Sequence, residues 1–156
     1  MSVLTTGDSP KMAVTFRVGL DPFEVTFSTD GAQAYVSNFL GDSIAVIDTA
    51  TRKIVNTLHA GKQPAMLAVV PATPNPLLWA ANTGSQEVWV IDPATRKTVQ
   101  RIPAGQGTHG VVLTPSGKVY VTNTNDNTVT VIDAAAMTPR ATIGVGTTPN
   151  GLCFVQ

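Results

Sequence analysis

Apolar residues in this chain come in short alternating runs bounded by turn formers. Glu24 to Ser28 alternates and ends in Thr29-Asp30-Gly31; Ala34 to Asn38, Ser43 to Asp48 and Lys53 to His59 follow. Alternation at period two, with Val, Ile and Tyr prominent, predicts half-buried strands, and Asp30-Gly31 and Ser116-Gly117 predict tight turns. Helical periodicity is absent throughout. The expectation is an all-β chain.

The runs recur. Val46-Ile47-Asp48 returns as Val90-Ile91-Asp92 and as Val131-Ile132-Asp133, at spacings of 44 and then 41 residues. Ala34 to Asn38, Leu78 to Asn82 and Val119 to Asn123 keep those spacings, and so do Ala60-Gly61, Ala104-Gly105 and Val145-Gly146. Three landmarks in one register make chance similarity improbable. Four antiparallel strands in about 42 residues is the arithmetic of a β-propeller blade. The extra length of one unit sits at Thr73-Pro74-Asn75-Pro76, where proline suits a loop and cannot extend a ladder.

Val119-Tyr120-Val121-Thr122-Asn123, followed by Thr128-Val129-Thr130-Val131-Ile132-Asp133, resembles the YVTN-family β-propeller repeat. Ala34 to Asn38 carries the same signature with Ser for Thr, whereas Leu78 to Asn82 departs from it with Trp for Tyr and Ala for Thr. The resemblance spans nearly the whole chain. It implies a ring of six to eight blades, and it implies little about activity, because propellers carry unrelated functions.

One repeat domain is therefore expected over 1–156, with whole blades at 20–63, 64–107 and 108–148. Residues 1–19 match the outer two strands of a split blade, and 149–156 match an inner strand. An open edge rich in Val and Ile invites pairing, so the expected architecture is a propeller whose ring is completed by a second copy, head to tail. A four-bladed monomer and a piece of a longer polypeptide are the competing readings.

Ten Lys and Arg balance ten Asp and Glu, which argues against nucleic acid as a partner. At 43% hydrophobic and 13% charged residues the chain is too apolar for disorder. No apolar stretch approaches the roughly 18 residues that span a bilayer, and the first residues show no signal peptide. The expected location as written is cytoplasmic; the resemblance also allows a secreted or periplasmic one. Cys153 is the single cysteine and excludes an internal disulfide. It is expected to pack within an apolar strand.

Tyr35, Trp79 and Tyr120 are equivalent positions and read as core aromatics. Asp48, Asp92 and Asp133 end third strands and read as turn carboxylates accepting backbone N–H groups, a logic extended to Asn38, Asn82 and Asn123. His59 reads as a solvated edge residue. His109 breaks the repeat: Phe23, Ala65 and Asn150 stand in its place elsewhere. Segments entering the inner strands face the central channel of a propeller, where an imidazole with an ordinary pKa of about 6.5 suits general base work. Asp21, Lys62, Gln63, Gln106 and Asn150 join His109 as candidate ligand-binding residues on that face. No metal site or cofactor is expected: the His and Cys spacing does not suit zinc, and Asn123 to Asn127 lacks the glycine and terminal Glu of a calcium loop.

Two functional classes follow. One is a binding or scaffold module that holds a small ligand or protein partner at the channel. The other is a propeller enzyme, a lactonase-like hydrolase or lyase, with His109 at the channel mouth as its candidate catalytic residue.

Overall fold

The computed structural model describes residues 1–4, 11–72 and 75–155. Fourteen strands are present among them. β1 (Ser2–Leu4) and β2 (Met12–Thr15) form a two-stranded antiparallel sheet. Three four-stranded sheets follow. Blade 1 holds β3 (Pro22–Phe27), β4 (Gln33–Asn38), β5 (Ser43–Asp48) and β6 (Lys53–His59). Blade 2 holds β7 (Pro64–Val70), β8 (Leu77–Asn82), β9 (Glu87–Asp92) and β10 (Lys97–Pro103). Blade 3 holds β11 (Thr108–Leu113), β12 (Lys118–Asn123), β13 (Thr128–Asp133) and β14 (Thr138–Gly144). Every pairing is antiparallel between chain neighbours, so each blade is a meander.

The repeat extends to backbone irregularities. Each inner strand slips register against the second strand, at Pro22/Val25, Pro64/Leu67 and Thr108/Val111. Asp21, Gln63 and Gly107 take positive φ where the chain enters an inner strand, and Thr148 does so at the matching position before residues 149–155. Three of those four carry side chains, so the repeated turn holds them in a conformation that L residues seldom adopt.

The blades stack face to face, and the core lies between them. Tyr35, Ile44, Val46, Leu58 and Ala60 of blade 1 meet Leu67, Leu78, Ala80, Trp89 and Ile91 of blade 2. Trp79, Val88, Val90 and Ile102 of blade 2 meet Val111, Val119, Val121 and Ile132 of blade 3. Met1, Phe16 and Val18 cover Ala34, Val36, Ala45 and Ile47 on the first face of blade 1. Alternation explains this: one parity of each strand faces the preceding blade and the other the following one.

Tyr35 and Trp79 are sealed, as core aromatics should be, but Tyr120 is only half-buried. The cause is position: the face of blade 3 that holds Tyr120 has no blade stacked on it among the described residues. Cys153 corrects the expectation of a packed strand residue, since it is exposed. Residues 149–155 form no strand in the single chain. A lone extended segment has no ladder partner to fix it. Residues 5–10, Thr73, Pro74 and Gln156, on which parts of the repeat reading fall, lie outside the described residues.

Candidate functional site

The asparagines do more than end strands, and each is nearly or fully buried. The Asn38 amide donates to the Val18 carbonyl at 3.1 Å, and the Asn123 Oδ1 accepts the Gly105 N–H at 2.9 Å. Each asparagine also lies under the glycine that ends the preceding outer strand. A Cβ built on Gly19, Gly61 or Gly105 would stand 2.3, 2.7 and 2.6 Å from the Cγ of Asn38, Asn82 and Asn123. Each asparagine also donates across its own hairpin, to Ser43 Oγ, the Glu87 carbonyl and Thr128 Oγ1, so a joint between blades is added to the turn role: glycine is required because a buried amide occupies the Cβ space. The aspartates do behave as turn carboxylates. Asp48 accepts from the Thr51 N–H and hydroxyl at 2.7 Å each, and Asp92 from Ala94, Thr95 and the Thr95 hydroxyl. These hydrogen bonds, led by the threonine hydroxyls, hold both carboxyls below the usual range. Asp133 accepts from Ala136 and pairs with Arg140 at 3.2 Å.

A second joint involves a hydroxyl. Ser37 Oγ accepts the Glu24 N–H at 3.1 Å, a donor freed by the register slip, and donates to the Ala65 carbonyl of blade 2 at 2.6 Å. Thr122 repeats this, accepting the Gly110 N–H at 2.7 Å and donating to the Asn150 carbonyl at 3.3 Å. Ala81 takes the equivalent place in blade 2 without a hydroxyl. Asn150 thus stands to blade 3 as Ala65 stands to blade 1.

His109 lies on β11 at the inner side. Its Nδ1 is 3.1 Å from the Asn150 carbonyl, and its ring meets Phe23 edge-on at 5.1 Å between centroids. Phe39 stands behind Phe23 at 5.7 Å. Burial lowers the imidazole pKa, opposed by the carbonyl. Contact with a carbonyl oxygen assigns the donor role to Nδ1–H. Phe23 belongs to blade 1 and His109 to blade 3, so this contact crosses the inner side of the arc.

Of the six sequence-derived candidates, only His109 and Asn150 are brought into contact by these hydrogen bonds. Asp21, Lys62, Gln63 and Gln106 lie in the loops entering the inner strands, where backbone groups do the bonding. The Asp21 carbonyl accepts from Phe39, Lys62 from Gly84, Gln63 from Thr83 and Gln106 from Asn125. The side chains of Asp21, Lys62 and Gln106 extend into solvent. His59 is also exposed, stacked edge-on against Trp89 at 5.5 Å.

Glu24 was missed by sequence reading. Its carboxylate accepts the Leu67 N–H of the neighbouring inner strand. Burial raises its pKa, opposed by that amide. The available signal was a carboxylate where the repeat elsewhere has Met66, Gly110 and Gly151. A cavity of about 1010 Å³ opens between blades 2 and 3 and is lined by Trp79, Val99, Leu113, Lys118, Met137 and Asp92. It engages none of the six candidates. Among the described residues no group of three or more His, Cys, Asp or Glu is placed to hold a metal ion. No helix there is long and apolar enough to cross a membrane.

Solved structures share this arrangement. Hydrazine synthase of Kuenenia stuttgartiensis superposes with a TM-score of 0.78 and 26% identity over 89% of this chain and 40% of that one. A WD40 β-propeller domain superposes at 0.69 with 12% identity, over 81% and 42% of the two chains. The fold is that of a partial β-propeller. A putative 6-phosphogluconolactonase of Bacteroides fragilis matches at 0.71 with 20% identity, over 86% of this chain and 42% of that one. The propeller thus spans about two-fifths of each of these structures, which include enzymes and a WD40 domain. No family model matches, so the YVTN likeness rests on the motifs alone. A PE-PGRS family protein of Mycobacterium tuberculosis is 46% identical over 44 residues, 28% of this chain and 10% of that protein. That length is one repeat.

Proposed function

We propose that this propeller is a binding and scaffold module that joins a second copy into a closed ring and holds a small ligand or protein partner at the channel. The observation that carries the reading is a matched triplet. Leu58, Ile102 and Ile143 take the same place in successive blades, yet their exposures are 1%, 1% and 47%. Val145 beside Ile143 is 42% exposed, where its counterpart Ala60 is 1%. Exposed apolar surface at positions built for packing marks an interaction face.

β1 and β2 of a second copy suit that face, because they match the outer strands of a blade. Head-to-tail contact of this kind, repeated twice, closes a two-fold ring. Each ring then presents two sets of Asp21, Lys62, Gln63, Gln106, His109 and Asn150 around one mouth. The test is solution mass over a range of concentrations. Two copies of the 16.3 kDa chain in one particle are expected. A species that stays at one copy throughout refutes the ring.

A further inference from the structure

We infer that the cavity between blades 2 and 3 is a binding site for a small carboxylate with an apolar body, its carboxylate paired with Lys118. The site lies away from the channel mouth: Leu113 at the end of β11 lines it, whereas His109 stands near the start of that strand. It does not depend on a closed ring, because both blades that form it are whole in one chain.

The repeat alone does not account for this cavity. The matching gap between blades 1 and 2 holds about 330 Å³ against about 1010 Å³ here. Hairpin length explains the difference. The first hairpin of blade 2 carries the insertion, and its Asn75 and Pro76 stand along the smaller gap. The first hairpin of blade 3 is a tight turn, its Gly117 N–H bonding back to the Thr114 carbonyl at 3.0 Å, and it overhangs less. The walls differ as well. Ser28, Asp30 and Gln33 line the smaller gap, whereas Val70, Leu77, Val99, Leu113 and Met137 line the larger.

Trp79 shows what the apolar wall costs. Ring donors elsewhere find an acceptor two residues back: the Tyr35 hydroxyl donates to Gln33 Oε1 at 2.9 Å, and the Trp89 indole to Glu87 Oε2 at 2.7 Å. Trp79, in the cavity wall, has Leu77 at that place, and its indole N–H has no acceptor among the described residues. A buried donor without a partner is unfavourable, so Leu77 trades stability for apolar surface on the face that borders the cavity.

The rim sets the polar end of the ligand. Asp133 pairs with Arg140, and Asp92 is capped by Ala94 and Thr95. The Lys118 ammonium has neither ion pair nor hydrogen bond among the described residues, which leaves it as the rim's free cation. A carboxylate matches it in charge. Burial of the apolar body supplies most of the affinity, since an exposed ion pair contributes little. The volume fits this class, because small-molecule sites run to about 300–1,000 Å³.

The test titrates the full chain with phenylbutyrate and with its neutral amide, by calorimetry and by NMR of the two indole N–H groups. Saturable binding that shifts the Trp79 resonance and leaves that of Trp89 in place is expected. The amide should bind about two- to fivefold more weakly. Lys118→Met, which keeps the apolar stem, should bind acid and amide alike. Val99 is skipped by the β9–β10 register and is 49% exposed, so Val99→Glu should leave melting little changed. It sets a second carboxylate against the ligand and should weaken binding by roughly tenfold. His109→Ala, at the channel mouth, should bind as the wild type does. Absence of saturable binding, a preference for the acid that survives Lys118→Met, or binding lost in His109→Ala and kept in Val99→Glu overturns the inference.

Discussion

Truncating Leu58, Ile102 and Ile143 to alanine, one at a time, compares a single repeat position in three environments. Leu58 and Ile102 are 1% exposed and sit inside the layers between blades. Each truncation there removes buried carbons and leaves a cavity the rigid sheets cannot close, at a cost of about 2–5 kcal/mol. Ile143 is 47% exposed. Roughly half its side chain is already in water, and solvent fills the gap. Three carbons at about 0.8 kcal/mol each, halved, give a cost of about 1 kcal/mol. Urea denaturation followed by the fluorescence of the buried Trp79 and Trp89 measures all three. At low protein concentration Ile143→Ala should lag the other two by at least about 1 kcal/mol. At high concentration its cost should climb toward theirs as the face becomes covered. Equal costs at the lowest concentration refute the claim that blade 3 carries an open face.

Other outcomes follow from the joints. Gly61→Ala drives a methyl into Asn82 and should destabilise by about 1–3 kcal/mol in the same assay; a neutral result removes the glycine–asparagine account. Ser37→Ala strands the Glu24 N–H and the Ala65 carbonyl, a loss of about 1–3 kcal/mol, with faster exchange at the Glu24 amide as its signature. Burial raises the folded pKa of Glu24 above its ordinary 4.5, so its contribution is most favourable below that value and is lost as pH climbs through the folded pKa. Glu24→Gln should therefore gain in Tm relative to wild type between about pH 4 and about pH 7, and a pH-independent difference counts against the assignment. His109→Ala should shift the carbonyl carbon resonance of Asn150, since only Thr122 then holds that carbonyl. If that variant also keeps its fold and any activity found, the enzyme reading built on His109 fails.

The four-stranded meanders were legible because alternation and turn residues are local, and because three copies in register reveal the unit even where one copy drifts, as Leu78 to Asn82 does. The turn aspartates were legible for the same reason: Asp48 binds Thr51, three residues away. Roles that depend on distant partners were not. The part the asparagines play between blades showed only once Gly19, Gly61 and Gly105 were seen lying on them, from 18 to 21 residues away in sequence. Glu24 reached Leu67, 43 residues on, and nothing in its own run announces that bond.

What the amino-acid order determined by itself is the repeating sheet: period-two patterning, β-branched residues and punctuation by glycine and aspartate specify strands and their hairpins through neighbours in the chain. What only the tertiary structure decided is which faces are covered. Tyr120 and Ile143 have sealed counterparts in Trp79 and Ile102, yet they differ in exposure because burial belongs to the pair of blades and not to the residue. The curvature of the arc likewise set Phe23 against His109, a contact between first and third blades that no local pattern encodes.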